Sequence, residues 1–421
     1  MNILVFNPGS NSLKAGIVYC NTAARSASEN TRLIEIIVEG IGKDPKLSVY
    51  QGKEIAHSEP IPAKDFEEAA ASILNWFDSR AKVAELQWNL HQVGCVGIRV
   101  VHGGSYFTKP TEITSDVAET IQELAQWAPL HNQRSLEILP PLRRQFDNAP
   151  IYAVFDTAFH ATIAPEAKLY PIPYELSMKH GIRRYGFHGI SHRYLMDRYA
   201  VITNQTPDKL NLVTMHLESG CSVTAISMGR SVDNTMGLTP LEGLMMGTRS
   251  GDVDPSLVAF LAQKENLNLT EVMNILEKKS GLLGVSGKSL DTRVLMRDYD
   301  SDKRVRIAME MFSYRVLKAV GAYLAILNGA QAVIFGGGIA ENNQLVRQRV
   351  CDGLRWCGLD MDAAQNQKLI DIEGRLSTAH SPIQAYVIPT EEILQVAHEC
   401  CQAVDQASIH NLQTDALFRA L

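Results

Sequence analysis

The sequence predicts an α/β protein with two related domains. Short apolar strands alternate with amphipathic helical segments, and a strand–turn–strand pattern near the N-terminus recurs near the middle of the chain. The 421 residues suffice for two or three domains of about 100–200 residues each. Hydrophobic residues make up 45% of the chain and charged residues 20%, which indicates an ordinary globular protein rather than a disordered one.

The repeated pattern is a pair of strands around a polar turn. Residues 2–6 are apolar, the turn-forming residues 7–10 follow, and residues 15–19 are apolar again, which predicts two antiparallel strands. The same arrangement recurs where strands at 211–215 and 222–226 flank the turn HLESG. We interpret the recurrence as a weak internal duplication that gives two related domains.

The remaining elements follow the same alternation. A helix is predicted over 65–86, and a long amphipathic helix over 304–328. The tail after residue 403 also has helical spacing. The apolar face of the first helix carries Phe66, Ala70, Ile73 and Phe77. Further buried strands are predicted at 93–101, 151–155 and 332–335.

Composition and charge exclude several classes of protein. A net charge of −6 argues against a nucleic-acid-binding protein, which needs a basic surface. The longest apolar run, 319–327, is far shorter than the roughly 20 residues that span a bilayer, and the N-terminus has no signal-peptide pattern. The seven cysteines are odd in number and lack CxxC spacing, which is typical of thiols in a reducing compartment. We therefore expect a cytoplasmic protein with no nucleic-acid or membrane partner.

Three glycine-containing turns follow apolar strands, at 7–12, 218–221 and 336–342. Glycine allows backbone N–H groups to approach phosphate oxygens, and nearby hydroxyls and Lys14 can complete such a site. Each turn alone can be purely structural, and none matches the P-loop signature or the GxGxxG pattern. Three of them in one chain favour a nucleotide site divided between two domains.

The segment PLEGLMMGTRSGDVDP at 240–255 is the most specific stretch of the sequence. It combines three glycines with Arg249 and two aspartates. Arginine is a natural bidentate partner for a phosphate or a carboxylate, so this segment indicates an anion site. The alternative is that Arg249 forms a surface ion pair with Asp252.

Eight segments together resemble the acetokinase family of short-chain carboxylate kinases, and they occur in that family's order over almost the whole chain. The segments are NPGSNSLK (7–14), RVVHGG (99–104), FDTAFH (155–160), YGFHGISH (185–192), MGLTPLEGLMMGTRSGDVDP (236–255), SGLLGVSG (280–287), GGGIAEN (336–342) and IPTEE (388–392).

The resemblance implies the fold of the actin, hexokinase and heat-shock chaperone ATPase superfamily. This is an α/β fold of two duplicated ribonuclease-H-like domains with an interdomain active-site cleft. The first domain would comprise 1–156 with a C-terminal return of 393–421, and the second, nucleotide-binding domain would comprise 157–392. The implied reaction is the reversible transfer of the γ-phosphoryl group of ATP to acetate, which gives acetyl phosphate and ADP. Mg²⁺ would be the cofactor, and a homodimer the expected assembly.

The resemblance also implies roles for residues of this chain. The catalytic set would be Asp156, His188 and Arg249, with Asp156 orienting groups or magnesium-bound water rather than acting as a base. Mg²⁺ would be held by Asn7 and Glu392. The acetate carboxylate would be bound by Arg99, and its methyl group would be enclosed by Val101, Leu130, Phe187 and Pro240. ATP or ADP would contact Ser12, Lys14, His216, Leu217, Glu218, Ser219, Gly220, Asp291, Thr292, Arg293, Gly338, Ile339, Ala340, Glu341 and Asn342.

Structural alternatives exist for several of these residues. His188 and His192 stand at i, i+4, a spacing that can hold zinc, but no HExxH glutamate accompanies them. Asp156 can cap the helix that follows it. Glu391 can be a solvated neighbour of Glu392. Four other histidines can be hydrogen-bonded core residues without a role in the site: His102, His131, His160 and His216.

The chain departs from the family pattern at the second phosphate turn. HLESG replaces the usual HLGNG, so that a glycine becomes Glu218 and an asparagine becomes Ser219. A carboxylate there would repel phosphates, and its Cβ disfavours a positive φ. Either Glu218 points away, or ATP binding is weakened, or the phosphoryl donor differs, since a pyrophosphate-linked variant of the family exists. Milder departures are Ile98, Ser105, Ile190 and Ala340.

Three hypotheses about function follow. The first is an ATP- and Mg²⁺-dependent acetate kinase. The second is a kinase for another short-chain carboxylate such as propionate, or one that uses pyrophosphate as donor. The third, from a different class, is a non-catalytic nucleotide-binding regulator on the same fold. The charged set Arg99, Asp156, Arg249 and Glu392 is complete, which favours an active enzyme.

Overall fold

The computed structural model describes residues 1–80 and 90–420, and the chain divides into two compact units. Unit 1 is built from both ends of the chain, Met1–Ala158 and Glu391–Leu421. Unit 2 is the middle segment, Phe159–Thr390. Each unit contains one β-sheet together with helices, so the prediction of an α/β protein is confirmed.

The described residues form fourteen strands and sixteen α-helices. The strands are β1 (Asn2–Pro8), β2 (Ser12–Tyr19), β3 (Thr31–Glu39), β4 (Lys46–Gln51), β5 (Glu54–Pro60), β6 (Val93–Val100), β7 (Thr111–Glu112), β8 (Ile151–Phe155), β9 (Asn211–Leu217), β10 (Cys221–Ser227), β11 (Arg230–Asn234), β12 (Ala332–Gly336), β13 (Gly374–Arg375) and β14 (Gln384–Val387). The helices are α1 (Phe66–Arg80), α2 (Ser115–Leu124), α3 (Pro129–Glu137), α4 (Leu139–Gln145), α5 (Pro165–Lys168), α6 (Tyr174–His180), α7 (Gly189–Thr203), α8 (Ser256–Lys264), α9 (Leu269–Lys278), α10 (Gly281–Ser286), α11 (Thr292–Arg297), α12 (Lys303–Ile326), α13 (Gly338–Asn342), α14 (Gln344–Gly353), α15 (Ala363–Lys368) and α16 (Glu392–Ala420).

The sheet of unit 1 has the order β5-β4-β3-β2-β1-β6-β8-β7. The predicted N-terminal strand pair is confirmed, because β1 pairs antiparallel with β2. On its other side β1 pairs parallel with β6, and β6 pairs parallel with β8. The carboxyl ends of these three parallel strands therefore lie at one edge of the sheet, and this edge carries the candidate site of unit 1.

The sheet of unit 2 repeats this topology. Its order is β11-β10-β9-β12-β14-β13. The strands β11, β10 and β9 are antiparallel neighbours, and β9, β12 and β14 are parallel neighbours. Each sheet thus contains five matching strands with the same orientations. They lie in the order β3-β2-β1-β6-β8 in unit 1 and β11-β10-β9-β12-β14 in unit 2. When the five strands of each unit are numbered along the chain, both orders read 3-2-1-4-5. The internal duplication that the two strand pairs predict is confirmed.

Helices cover both faces of the unit 1 sheet. Ala15 and Ile17 of β2 join the buried apolar cluster that also contains the predicted helix face, Phe66, Ala70, Ile73 and Phe77. Gly16, between them, points to the opposite face, where a Cβ would lie 2.9 Å from Ile393 of α16. Helix α1 is described as far as Arg80, and the predicted continuation to residue 86 lies outside the described residues. Helix α16, although it lies at the other end of the sequence, therefore packs on the second face of this sheet.

The long helix predicted over 304–328 is confirmed as α12, which buries Val305, Phe312 and Val316 on one side. Asp302 caps its start by accepting hydrogen bonds from the first N–H groups of the helix. Within the described part of the chain, none of the helices has the length and apolar character needed to cross a bilayer.

A buried carboxyl group holds the turn that follows β12. Glu341 Oε1 accepts hydrogen bonds from the backbone N–H groups of Gly337, at 2.7 Å, and Thr390, at 3.1 Å. Glu341 is 7% exposed, and burial raises the pKa of its carboxyl group to about 7. Gly337 has a φ of 85°, and a Cβ there would lie 2.7 Å from the backbone nitrogen of Leu217. The glycine therefore allows the turn to approach β9, and the carboxyl group links it to the segment after β14.

We predict that Glu341→Gln removes a pH dependence of stability. Because burial raises the pKa from 4.5 to about 7, the folded chain binds one more proton than the unfolded chain between these values. The stability that the protonated carboxyl group contributes is complete below pH 4.5 and is lost as the pH rises through 7. Glutamine keeps an acceptor oxygen but cannot ionise. The free energy of unfolding of the variant, relative to wild type, should rise by about 2–3 kcal/mol between pH 5 and pH 8 in urea denaturation.

The control for this prediction is Glu265→Gln, which removes an exposed carboxylate from the same unit. It should leave the pH dependence of unfolding as it is in the wild-type protein. An identical pH dependence in wild type and Glu341→Gln would show that the buried carboxyl group does not titrate in this range.

Candidate active site

Four predicted site residues of unit 1 lie together at the carboxyl edge of its sheet. Asn7 lies near the end of β1, Arg99 is the penultimate residue of β6, and Asp156 directly follows β8. Glu392 is the first residue of α16. Three neighbouring parallel strands and the returning helix thus bring together residues that are up to 385 positions apart in the chain.

The Arg99 guanidinium is the centre of this cluster. Its Nε and Nη2 donate to the two carboxylate oxygens of Asp156, at 3.0 and 2.6 Å. Its Nη1 donates to Asn7 Oδ1 at 3.0 Å and lies 3.8 Å from Glu392 Oε2. Asn7 Nδ2 in turn donates to Glu392 Oε2 at 2.7 Å. Asp156 is only 1% exposed, so this bidentate pair is formed away from bulk solvent.

The unit 1 cluster has a composition that suits a hard divalent cation. Two carboxylates against one guanidinium leave one formal negative charge in excess. Mg²⁺ takes oxygen ligands and commonly uses only one or two protein carboxylates, with water and phosphate oxygens completing its shell. In residues 1–80 and 90–420, no group of three or more His, Cys, Asp or Glu side chains is arranged to hold a metal. The donor set of Asn7, Asp156 and Glu392 therefore fits a magnesium–phosphate complex better than an all-protein metal site.

The neighbouring acidic residue is also paired. Glu391 accepts a hydrogen bond from Arg32 Nη1 at 2.7 Å. Glu391 is therefore part of a surface ion pair with Arg32, and its side chain remains 30% exposed.

In unit 2, His188, Gly220 and Arg249 lie close together. His188 stands immediately before α7 with a φ of 57°, a left-handed conformation that is costly for a residue with a side chain. A Cβ on Gly220 would lie 3.2 Å from His188 Nε2 and 3.3 Å from Arg249 Nη1. The missing side chain of Gly220 therefore leaves a space towards which two nitrogen atoms converge.

Arg249 is held by uncharged groups. Its Nη1 donates to the backbone oxygen of Pro240 at 3.0 Å and contacts Met246 Sδ at 3.5 Å. Burial lowers the pKa of its guanidinium. Asp252 instead accepts a hydrogen bond from the backbone N–H of Gly243, and Arg249 forms no ion pair with a carboxylate among the described residues. The alternative of a surface ion pair with Asp252 is therefore wrong, and the guanidinium is suited to an anionic ligand.

Burial lowers the pKa values of two histidines of unit 2, His160 and His192. Burial lowers the pKa of His160 to about 4, and the pKa of His192 lies well below its usual value because of burial and the neighbouring His160 and His216. His160 donates from Nε2 to Phe187 O and accepts from Ser231, so it is a hydrogen-bonded core residue. His102 is fully buried in unit 1, where its Nδ1 accepts from the backbone N–H of Gly104.

The two histidines at i, i+4 share a hydroxyl group. His188 Nδ1 lies 2.9 Å and His192 Nε2 lies 2.8 Å from Ser222 Oγ. The nitrogens that a zinc ion would need are therefore engaged with a serine, and the zinc alternative is wrong for these two residues. Ser222 was not predicted as a site residue, because no motif marks it and its place opposite His216 follows from the strand register.

The HLESG turn accepts its two unusual side chains without backbone strain. Neither Glu218 nor Ser219 has a positive φ, and the Glu218 N–H donates to Gly220 O at 3.0 Å. The Glu218 carboxylate lies 3.7 Å from His216 Nε2 and its side chain is 53% exposed. His216 itself is 3% exposed, and its Nδ1 is without a hydrogen-bond partner among the described residues. The side chain of Glu218 thus stays beside the predicted phosphate turn.

A cavity of about 540 Å³ in unit 2 is lined by eight of the fifteen residues that the resemblance predicts to contact ATP or ADP. Its lining is Glu218, Ser219, Leu290, Asp291, Thr292, Arg293, Gly338, Ile339, Asn342 and Asp371. Leu290 and Asp371 were missed from the sequence, because no motif marks them. Ala340 and Glu341 are buried and do not line the cavity, and the same holds for His216, Leu217 and Gly220.

The cavity lining carries more negative than positive charge. Arg293 and Asp291 form a bidentate ion pair, with the shortest contact at 2.7 Å. With Glu218 and Asp371, the lining contains three carboxylate residues and one guanidinium.

The remaining predicted residues lie in their respective units. Val101 is buried in unit 1, and Phe187 is 1% exposed in unit 2. Pro240 is partly buried beside Arg249, and Leu130 lies in α3 but outside the described side chains. Ser12 and Lys14 stand at the start of β2, where Lys14 is directly opposite Asn7.

Comparisons with known proteins agree over nearly the full length. The family model described as the acetokinase family matches residues 2–398. An acetate kinase from Solibacter usitatus is 42% identical over 409 residues, which cover 96% of this chain and 98% of that protein. The crystal structure of Porphyromonas gingivalis acetate kinase aligns with this chain at a TM-score of 0.86 and 34% sequence identity. The alignment covers 95% of this chain and 98% of that chain. A propionate kinase from Francisella tularensis has a TM-score of 0.84 at 35% identity, with coverages of 94% and 98%. The chain belongs to the acetokinase family.

Proposed function

We propose that this protein is an acetate kinase, which transfers the γ-phosphoryl group of ATP reversibly to acetate and forms acetyl phosphate and ADP. The observation that supports this best is Arg249, a guanidinium without a carboxylate partner among the described residues, next to His188 and the space left by Gly220. Such a group needs an anionic ligand, and a transferring phosphoryl group carries the required charge on its equatorial oxygens. Membership of the acetokinase family supports a carboxylate as the acceptor.

The chemistry of the acceptor explains the kind of residues present. The acetate carboxyl group, with an acidity close to that of a glutamate side chain, is already ionised at neutral pH, so no strong base is needed. Catalysis then depends on positioning and on neutralisation of charge. Arg99 binds the carboxylate of acetate, and Asp156 fixes the plane of the Arg99 guanidinium through their bidentate pair. Arg249 and His188 stabilise charge on the transferring phosphoryl group.

Magnesium would be held by Asn7 and Glu392, with Asp156 close enough to orient metal-bound water. When bound, Mg²⁺ neutralises charge on the phosphate oxygens of the nucleotide. The excess negative charge of the unit 1 cluster supports this assignment, and the positive charge of Arg99, which lies near both carboxylates, offsets their mutual repulsion.

The size of the acyl group is a separate question. Val101, Leu130, Phe187 and Pro240 are the residues that we propose enclose the methyl group. One additional methylene changes binding by only about 1–3 kcal/mol, so propionate should be a slower second substrate. The likeness to a structure described as a propionate kinase supports the test of this alternative.

We also propose that the protein is a cytoplasmic homodimer. Helices α8 and α12 line a cavity of about 680 Å³ and expose large apolar side chains that a second copy would cover. These side chains are Phe260, Ile307, Met311 and Tyr314. The seven cysteines of the chain are thiols without disulfide bonds, which supports a reducing compartment. Light scattering coupled to size-exclusion chromatography gives the molar mass directly.

The first experiment is a hydroxamate assay with ATP and Mg²⁺, in which acetate, propionate and butyrate are compared. We expect the highest kcat/KM with acetate. No acyl phosphate from any acid, in a protein that binds ATP, would favour the non-catalytic regulator. Product only with pyrophosphate as donor would show that the adenosine cavity is not used.

We predict that Arg249→Ala lowers kcat by at least about 10²–10³-fold, because the charge on the transferring phosphoryl group loses its cationic partner. The hydroxamate assay measures this loss, and the far-UV circular dichroism should be unchanged. The matched control is Arg355→Ala, which removes an exposed arginine paired with Asp352 in the same unit. Activity within about threefold of wild type in Arg249→Ala would remove this arginine from the mechanism.

We predict that Glu218→Gln tightens ATP binding, because it removes a negative charge beside the phosphates without changing the shape of the turn. The expected decrease in KM for ATP is about fivefold at low salt, equivalent to roughly 1 kcal/mol. The effect should shrink at 0.5 M salt, since exposed charges are screened. Glu265→Gln, which removes an exposed carboxylate elsewhere in the unit, should not change KM.

The double variant Glu218→Gly, Ser219→Asn restores the usual HLGNG turn and tests shape together with charge. Equal KM values for ATP in wild type, Glu218→Gln and the double variant would show that Glu218 does not repel the nucleotide.

A further inference from the structure

A continuous chain of hydrogen bonds connects His188 to the core of unit 2. Its members alternate between imidazole and hydroxyl groups: His188, Ser222, His192 and Thr214. The three contacts join His188 Nδ1 to Ser222 Oγ at 2.9 Å, Ser222 Oγ to His192 Nε2 at 2.8 Å, and His192 Nδ1 to Thr214 Oγ1 at 2.8 Å.

Secondary structure explains why these groups meet. His188 is the N-cap residue of α7, and its backbone oxygen accepts a hydrogen bond from the His192 N–H at 2.9 Å, which places both histidines at the first turn of the helix. Ser222 of β10 is directly opposite His216 of β9, and Thr214 is two residues before His216, so all three side chains share one face of the sheet. Ser222, His192 and Thr214 are fully buried, so their hydrogen bonds lie away from bulk solvent.

The chain can be protonated in two directions. In the first, the Thr214 hydroxyl donates to His192 Nδ1, His192 Nε2–H donates to Ser222 Oγ, and the Ser222 hydroxyl donates to His188 Nδ1. In the second, every donor and acceptor is reversed, and the Thr214 hydroxyl needs a further acceptor. A neutral imidazole has one donor and one acceptor nitrogen, so His192 transmits whichever direction Thr214 selects.

Thr214 selects the first direction. The only hydrogen-bond partner of its hydroxyl group, in the part of the chain that the structure describes, is His192 Nδ1. Reversal would leave the Thr214 O–H buried without an acceptor, and a buried unsatisfied donor is strongly disfavoured. Burial, with His160 and His216 as the next neighbours, also lowers the pKa of His192, which keeps that ring neutral and the chain in one of these two states.

We propose that Thr214, His192 and Ser222 are positioning residues that hold the His188 ring with its proton on Nε2 and with Nδ1 as the acceptor of the Ser222 hydroxyl group. His188 then presents an N–H donor, beside the Arg249 guanidinium, to the space that Gly220 leaves open. A group in this state stabilises phosphoryl oxygens by donation and does not accept a proton from the acceptor substrate. The catalytic meaning of this arrangement rests on the proposed kinase function, whereas the tautomer itself does not.

The decisive measurement uses ¹⁵N spectra of wild-type protein labelled at the histidine rings, at pH 8. His188→Gln identifies the His188 signals by their loss. We expect both His188 and His192 to show a protonated Nε2 and an unprotonated Nδ1. A protonated Nδ1 on either ring, without a protonated Nε2, would overturn the proposal. This result does not depend on whether acetate is the substrate.

The kinetic test is Ser222→Ala, which removes the donor to His188 Nδ1. We expect kcat for acetyl phosphate formation to fall by about 3–10-fold with KM values for ATP and acetate unchanged, the range expected for one lost hydrogen bond. The His188 ¹⁵N signals should show a mixture of tautomers. Ser222→Thr keeps the hydroxyl group and should restore both kcat and the single tautomer.

The matched control is Ser231→Ala. Ser231 lies 2.8 Å from Nδ1 of the buried His160, so the variant removes the same kind of hydroxyl–imidazole bond outside the chain. It should leave kcat and the His188 signals unchanged. Unchanged kcat in Ser222→Ala, or an equal loss in Ser231→Ala, would overturn the positioning role. If wild type shows the expected tautomers but forms no acyl phosphate, the kinase function fails and the assignment of the tautomer stands.

Discussion

The parallel pairing of three strands in each unit is the constraint on which the rest of the structure depends. Strands β1, β6 and β8 in unit 1 are parallel, as are β9, β12 and β14 in unit 2. Parallel strands end at the same edge of a sheet, so residues that follow different strands meet there although they are distant in the chain. Asn7, Arg99 and Asp156 meet in this way in unit 1. In unit 2 the same edge carries the HLESG turn, the turn after β12, and Thr390. Glu341 links Thr390 to the turn after β12.

The two units compensate buried charge differently. In unit 1 the Arg99 guanidinium is paired with Asp156, and the cluster as a whole carries an excess of negative charge, which suits a cation and an anionic substrate held together. In unit 2 Arg249 is held by a backbone oxygen and a thioether, and burial lowers the pKa values of His160 and His192. That positive charge is therefore available to an anion, and the hydroxyl groups of Ser222 and Thr214 decide which nitrogen of His188 carries a proton.

The HLESG turn shows how a local departure from a family pattern can be structurally neutral and still alter chemistry. The backbone at Glu218 and Ser219 avoids the left-handed region, so the added side chains cost no strain. The consequence is electrostatic. Glu218, Asp291 and Asp371 are acidic residues on the wall of the same cavity, and Asp291 is paired with Arg293. Any repulsion therefore acts on the phosphates of a bound nucleotide and not on the fold.

The sequence by itself predicted the fold class, the duplicated strand pairs and the long helix α12, and it named most of the residues of the candidate site. Apolar periodicity and polar turns are local properties, and they are sufficient for β1, β2, β9, β10 and α12. Only the tertiary structure decided which charges are paired. Arg249 and Asp252 are three residues apart and yet separate, whereas Arg99 and Asp156 are 57 residues apart and paired. It also revealed Ser222, Thr214 and Asp371, which no motif marks. Hydrogen-bond partners across a sheet edge depend on strand order and register, and these are set by the packing of the whole unit and not by spacing along the chain.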